Sequence, residues 1–156
     1  MTSEARFPAE GGSYLLWMYL SRRQMIAIGR RGVHSFERGW YGYCGSAFGP
    51  GGLRARLRHH LRPVARCHWH IDYLKQWARP RAVWLCRGDN LEHRWSGLLQ
   101  GRPGAGLPLP GFGSSDCDCP AHLVYFRSRR QVNAGFAVLA AESRILRINW
   151  DNPDLC

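Results

Sequence analysis

The sequence has little negative charge and almost no lysine. Acidic residues number 11 against 22 basic ones, which gives a net charge of +11 and a pI near 10.2. Lys75 is the single lysine, so arginine carries the positive charge, and its planar guanidinium matches phosphate oxygens two at a time. A GC-rich genome would account for arginine in place of lysine but not for the twofold excess over acids. The charge favours a nucleic-acid partner, DNA or RNA.

Long apolar runs are also missing. The longest covers residues 14–20, far short of the ~18 residues that a transmembrane helix needs, so we expect no membrane partner. Residues 1–11 carry two glutamates and no apolar core, which is not the pattern of a secretory signal peptide. We expect a cytoplasmic protein whose core needs no metal or disulfide, and no obligate protein partner is evident.

Cysteine patterns typical of metal sites are scarce. The six cysteines include no Cys-x-x-Cys pair, and free thiols are expected in a cytoplasmic protein. The nearest clusters are residues 67–70, and Cys117 and Cys119 followed by His122. Neither has zinc-finger spacing. A zinc-stabilised interaction domain built on the second cluster stays as one alternative reading.

Runs with strand and helix composition predict an α/β (α+β) domain. Residues 14–20 are apolar at both odd and even positions, which is typical of a central strand covered on both faces. Residues 24–29 are expected to pair with them as a hairpin. Residues 101–115, rich in Gly, Pro and Ser, predict a long loop. Further strands are expected at residues 40–46, 82–86 and 122–126, and helices at 53–61, 71–78, 91–99 and 131–146.

The helix predicted over residues 53–61 is the clearest of these elements. Its apolar stripe at positions i, i+4 and i+8 consists of Leu53, Leu57 and Leu61. Basic side chains flank the stripe on both sides, Arg56 and His60 on one and Arg54, Arg58 and Arg62 on the other.

Two short motifs, in order along the chain, resemble those of the GIY-YIG endonuclease superfamily. They are Gly12-Ser13-Tyr14 at the first strand and Tyr43-Cys44-Gly45 in the third, and the helix after them has the matching pattern Leu-x-x-Arg-Leu-x-x-His over residues 53–60. Residues 66–74 and 111–117 resemble the Uri-type branch of that superfamily. The resemblance runs from about residue 12 to residue 126.

The resemblance implies a fold and a division of the chain. The fold is a small central antiparallel sheet of about three strands, flanked by helices. The nuclease-like domain would cover residues 12–126, after a flexible tail over 1–11. Residues 127–156 would form a C-terminal extension, with a helix packed on the domain.

The resemblance also implies divalent-metal-dependent hydrolysis of DNA phosphodiester bonds. Glu92 would hold one Mg²⁺ or Mn²⁺, a task that needs only one carboxylate beside water and phosphate oxygens. Arg56 would neutralise charge in the transition state. Tyr14 and Tyr43 would stand beside the attacking water, although packing is the ordinary role of strand aromatics. His60 would shuttle a proton or contact phosphate, or have no role.

Further residues are candidates for holding the substrate. Gly45 and Ser46 would let the backbone approach it closely. Arg54, Arg58 and Arg62 either follow the DNA backbone or form a solvated basic face. The roles of His68 and His70 are either functional or structural. Asp72 would act as a helix cap or as a partner for a histidine ring. The second function class is a nucleic-acid-binding module of the same fold without catalysis.

Overall fold

Four strands come before the first α-helix in the computed structural model, which describes residues 6–114 and 117–149, and strands alternate with helices only in the second half of the chain. The strands are β1 (Gly12–Leu20), β2 (Gln24–Ala27), β3 (Val33–Phe36), β4 (Gly39–Ala47), β5 (Arg79–Arg87), β6 (Leu123–Phe126) and β7 (Leu146–Asn149). The helices are α1 (Gly52–Leu61), α2 (His70–Lys75), α3 (Glu92–Gln100) and α4 (Arg129–Ala140). The predicted α/β class is therefore confirmed.

β1 is the middle strand of the main sheet. The strand order is β6-β4-β1-β5-β7, and every neighbouring pair is antiparallel. In β1, every residue except Tyr19 is buried. The prediction of a central strand, drawn from its apolar residues on both parities, is confirmed.

Alternation along β1 divides the core into two layers. On one face, Tyr14, Leu16 and Met18 share a cluster with Leu53 and Leu57 of α1. On the other face, Leu15 and Trp17 share a cluster with apolar residues of the two other long helices, namely Trp95 and Leu99 of α3 and Val132 and Leu139 of α4. Both sheet faces are thus covered by helices, and the two ends of β1 remain as places where loops meet.

Two details of the sheet differ from the prediction. The sheet has five strands rather than about three, because β6 adds to the edge of β4 and β7 adds to the edge of β5. β2 forms no hairpin with β1; it pairs with β3 in a separate two-stranded sheet. The reason is that both edges of β1 are already occupied by β4 and β5.

The segment expected to be a flexible tail is packed where the structure describes it. Phe7 is 2% exposed, and the carbonyls of Pro8 and Glu10 accept hydrogen bonds from the backbone of Arg54 and Leu53, at the start of α1. These bonds serve amide groups that a helix leaves without intrahelical partners in its first turn. The remainder of the predicted tail, residues 1–5, lies outside the described residues.

The C-terminal extension contributes a helix and a strand. Ser128 caps α4 by accepting a hydrogen bond from the amide of Gln131, a residue type and position typical of helix starts. The helix ends at Ala140, earlier than predicted, and the chain returns along β5 as β7 with Ile148 turned inward. Residues 150–156 lie outside the described residues, as do residues 115 and 116 of the predicted loop.

Among the helices that the structure describes, none combines the length and the apolar character needed to cross a bilayer.

Candidate functional site

Most of the predicted site residues line one cavity of about 340 Å³. The predicted residues in its wall are Tyr14, Tyr43, Gly45, Ser46, Arg56, His68, His70 and Glu92. They come from β1, β4, α1, α3, and the start of α2 with the residues before it. Trp69 and Gly113 complete the wall. Positions far apart in the sequence thus meet in a polar hollow at one end of the central strands.

A larger hollow of about 600 Å³ lies elsewhere, between the end of β5 and residues 142–146. Its wall contains none of the predicted site residues, and its charged groups include Arg87 and Glu142 at the exposed surface. Size alone therefore does not identify the site in this protein.

The glycines of the two short motifs make room for the first tyrosine and its strand. Tyr14 pairs with Gly45 across β1 and β4, and a Cβ on Gly45 would lie only 2.3 Å from the Tyr14 hydroxyl. A Cβ on Gly12 would lie 2.2 Å from the carbonyl oxygen of Cys86 on β5. Gly45 was expected to admit the substrate to the backbone, but the space beside it is taken by the Tyr14 ring.

Tyr14 is bonded to a buried histidine. Its hydroxyl lies 2.7 Å from Nε2 of His60, and the two residues are 2% and 1% exposed. Burial raises the pKa of Tyr14 well above its ordinary value, and burial lowers the pKa of His60 well below its own. Low polarity disfavours the charged form of each group, so at pH 7 the pair is a neutral phenol beside a neutral imidazole. His60 stands behind Tyr14 and is not in the cavity wall.

Tyr43 presents a second phenol to the cavity. Its ring is edge-on to His60, with the ring centroids 5.9 Å apart, and also edge-on to Phe112, at 6.2 Å. Burial, and then the nearby carboxylate of Glu92, raise the pKa of Tyr43. Both phenols are therefore protonated at neutral pH. They act as hydrogen-bond donors and lose the proton only to a base that contacts them.

Arg56 lies over the face of Trp69. The guanidinium carbon is 4.7 Å from the ring centroid, within the range of a cation–π contact. This contact orients the guanidinium on the cavity wall and leaves its planar fork of donors available. Tryptophans are ordinarily core residues, and sequence reasoning did not place Trp69 in the site. Its position between His68 and His70, both candidates for the site, was the available signal that it belongs there instead.

Glu92 is held by two side chains at the start of α3. Ser46 donates a hydrogen bond of 2.7 Å to Oε2 of Glu92, and Nδ1 of His122 lies 2.8 Å from Oε1. Burial would raise the pKa of this carboxyl group, but the contacts with His122 and Ser46 outweigh it and lower the pKa below its ordinary value. The glutamate is therefore ionised at neutral pH. Sequence reasoning did not connect His122 with Glu92.

The start of α3 is tied directly to β1. The Ser13 hydroxyl donates to the carbonyl of Asp89 at 2.7 Å and accepts from the amide of Leu91 at 2.6 Å. Ser13 itself is fully buried. The residue next to Tyr14 in the first motif thus positions the helix that carries Glu92.

The histidines on the remaining wall have defined surroundings. The amide of Gly113 donates to Nδ1 of His70 at 3.1 Å, which leaves the other ring nitrogen of a neutral His70 as a donor. Burial, followed by the charge of Arg31, lowers the pKa of His70. Asp72 accepts from the amides of His68 and Trp69, each at 2.8 Å, so it caps α2.

The three arginines on the other flank of α1 do not line the cavity. Nε of Arg54 donates to the carbonyl of Phe7 at 2.8 Å, so this side chain also anchors the N-terminal segment. Arg62 is exposed immediately after α1, and Arg58 is partly buried. These side chains can contact a nucleic acid only outside the cavity.

Two groups of metal-ligating side chains occur in the described part of the chain. His59, His60 and Asp72 form one group, and His93, Cys117, Cys119 and His122 form the other. The first is explained by contacts already described, since His60 bonds Tyr14 and one oxygen of Asp72 caps α2. Glu92, in the cavity wall, belongs to neither group.

One family model matches residues 13–144, which include β1 from Ser13 onward, the four α-helices and the whole cavity wall. The family is described as "Domain of unknown function DUF123". No curated protein and no solved structure matches the chain. The match extends over most of the sequence and through the C-terminal helix, so the chain belongs to the family "Domain of unknown function DUF123".

Proposed function

We propose that this protein is a divalent-metal-dependent DNA endonuclease of the GIY-YIG type, in its Uri-type branch. The observation that carries the proposal is the shared cavity: two phenols, a guanidinium and a carboxylate face one hollow of about 340 Å³. Hydrolysis of a phosphodiester needs a water that loses a proton, a cation near the developing phosphorane, and a grip on the backbone. The cavity wall offers a side chain for each of these tasks.

Glu92 is the side chain that would hold Mg²⁺ or Mn²⁺. Its two carboxylate oxygens have about four lone-pair sites, and the contacts with Ser46 and His122 use one site on each oxygen. The donor set fits Mg²⁺, which is commonly bound through one or two carboxylates together with substrate phosphate and water. When bound, the ion would supply Lewis-acid activation of the phosphate and of water.

Tyr14 and His60 form a route for the proton of the attacking water. With the His60 proton on Nδ1, the Tyr14 hydroxyl donates to Nε2 across 2.7 Å. Tyr14 accepts a proton from water as it passes its own to His60, so the phenol is neutral before and after the transfer. Water oxygen forms the new P–O bond, one ester P–O bond breaks, and the leaving oxygen takes up a proton from solvent water, while His60 returns its proton through Tyr14 to water in the cavity. Burial and the charge of Lys75 disfavour a charged His60, so His60 passes this proton on and does not keep it.

Arg56 and Tyr43 would act on the phosphate itself. A guanidinium donates to two oxygens at once and stays charged at every working pH. Its contact with Trp69 fixes its direction before substrate arrives, which reduces reorganisation during the reaction. Tyr43 is a protonated phenol in the wall and donates a hydrogen bond to a phosphate oxygen or to the water.

The test is a cleavage assay on a panel of labelled single-stranded, duplex and branched DNAs, each with Mg²⁺, Mn²⁺ or EDTA. The proposal predicts metal-dependent nicking of at least one substrate, and loss of nicking in Arg56→Ala with binding largely retained. Binding that is insensitive to EDTA, without cleavage of any substrate, would instead identify a non-catalytic nucleic-acid-binding module. An RNA panel run in parallel shows whether RNA replaces DNA as the substrate.

A further inference from the structure

Four metal-ligating side chains converge beside α3, outside the cavity wall. His93 is exposed on α3, His122 is buried just before β6, and Cys117 and Cys119 are partly buried on the segment between the two elements. The nitrogen or sulfur atoms that they offer all lie within 4.8 Å of one another. All four thiol and imidazole groups therefore face a common point.

The separations suit tetrahedral coordination. Bond lengths of about 2.3 Å to sulfur and 2.0–2.1 Å to nitrogen place tetrahedral ligand atoms roughly 3.3–3.8 Å apart. Sγ of Cys117 is already 3.3 Å from Nε2 of His122, and the rings of His93 and His122 have centroids 5.4 Å apart. The wider separations in the group close by rotation of the exposed His93 ring and the partly buried Cys119 side chain.

His122 is oriented as a metal ligand. Its Nδ1 lies 2.8 Å from Oε1 of Glu92 and its Nε2 lies 3.3 Å from Sγ of Cys117, so a proton on Nδ1 would leave the Nε2 lone pair for the metal. A carboxylate on the second ring nitrogen is the usual partner of a metal-bound histidine, since it fixes the tautomer and raises the basicity of the ligand. The His122 side chain is 4% exposed, so its packing holds the ring in this orientation.

We propose that Cys117, Cys119, His93 and His122 bind one structural Zn²⁺. Two thiolates with two imidazoles are a donor set that favours zinc over magnesium or calcium. Four protein ligands leave no open position for water, which is the arrangement of structural and not of catalytic zinc. This site is separate from the cation site at Glu92, and the proposal does not depend on nuclease activity.

The zinc site would fasten the segment before β6 to α3. Ser96 and Gln100 of α3 already donate hydrogen bonds to the carbonyl of Ala121 in that segment, and zinc would add a second tie through Cys117 and Cys119. Gly113, at its start, is part of the cavity wall, and Glu92 contacts both the proposed zinc ligand His122 and the cavity. Zinc would thus hold Gly113 and Glu92 of the cavity wall in place from the side that faces away from the cavity.

Metal content of the full chain, purified without added metal or chelator, tests the proposal. We expect about one Zn²⁺ per chain by plasma mass spectrometry. Replacement by Co²⁺ should give the intense visible bands of a tetrahedral ion and a thiolate-to-cobalt charge-transfer band. The variants Cys117→Ser and His93→Gln should each weaken zinc binding by at least about 100-fold, measured by competition with a coloured chelator, because each loses a direct ligand.

Two further variants separate the site from general effects on folding. Cys67→Ser removes a thiol that contacts Gln76 far from the cluster, and it should keep full zinc content. Glu92→Gln should weaken zinc binding by about 10-fold through the orientation of His122. Because His93 is exposed on a helix, His93→Gln is expected to fold even if Cys117→Ser does not.

A folded protein without zinc, with no tight uptake on reconstitution, would overturn the proposal, as would unchanged zinc affinity in the folded His93→Gln variant. Failure of the nuclease proposal would look different. It would leave zinc bound, with no cleavage after Mg²⁺ is supplied.

Discussion

The buried His60 should make the stability of the fold depend on pH, and the variant His60→Gln should remove that dependence. His60 is 1% exposed, and burial lowers its pKa well below the ordinary value. In the unfolded chain the ring is solvated and its pKa is about 6.5. Below that pH the unfolded state binds a proton that the folded state does not, so acidification favours unfolding.

The magnitude follows from linkage. One proton difference changes the free energy of unfolding by at most about 1.36 kcal/mol per pH unit. Between pH 6.5 and 5.0 this group therefore removes up to about 2 kcal/mol of stability. The contribution is fully present above the unfolded pKa and is lost as the pH falls toward the folded pKa.

Urea unfolding of both proteins at several pH values between 5 and 7.5 measures this contribution. The wild type should lose more stability than His60→Gln as the pH falls, with the difference reaching about 2 kcal/mol at pH 5. The control is Tyr14→Phe, which removes the hydroxyl 2.7 Å from the ring but keeps the ring buried, and so should keep the wild-type slope. Equal pH dependence in wild type and His60→Gln would refute the assignment of His60 as a buried neutral histidine.

Three further substitutions test the cavity. Gly45→Ala places a Cβ 2.3 Å from the Tyr14 hydroxyl and should lower stability by about 1–3 kcal/mol in urea unfolding; an unchanged midpoint would show that the ring has room. Arg56→Lys keeps the charge but loses the planar fork over Trp69, so cleavage should fall by about 100-fold, whereas wild-type turnover would remove Arg56 from the transition state. Arg62→Gln removes an exposed cation and should reduce the slope of log affinity against log salt for DNA by about one; an unaltered slope means that Arg62 is not at the interface.

Much of the fold could be predicted because the strongest signals are local. The leucine stripe of α1 and the doubly apolar β1 each show in a short window of sequence. The pairing of one strand with another does not show in such a window. The break at residues 21–23 suggests a hairpin, but the edge that β2 would need is taken by a strand that comes much later in the chain, β5. β7 covers only four residues, and its alternation of Leu146 and Ile148 with polar residues is the least that a strand pattern needs.

The sequence predicted most of the residues that form the candidate site, but not the contacts between them. The family motifs identified the residues that line the cavity, but the reason for Gly45 appears only from its register opposite Tyr14. In the sequence, Trp69 does not differ visibly from the buried Trp17, Trp84 and Trp95, and its role appears only when Arg56 is seen above its ring. The contact of His122 with Glu92 joins β6 to α3, and no local pattern encodes a pairing between separate elements.

The most direct measurement of the central claim is metal-dependent nicking by Glu92→Ala beside a matched control, Glu142→Ala. Glu142 is an exposed acid paired with Arg94 at the surface and lies outside the cavity wall. With Mg²⁺ and the best DNA substrate of the panel, we expect Glu142→Ala to cleave at the wild-type rate. Glu92→Ala should bind the same DNA and leave it intact. Undiminished nicking by Glu92→Ala would contradict the account, because the carboxylate assigned to the metal would then be dispensable.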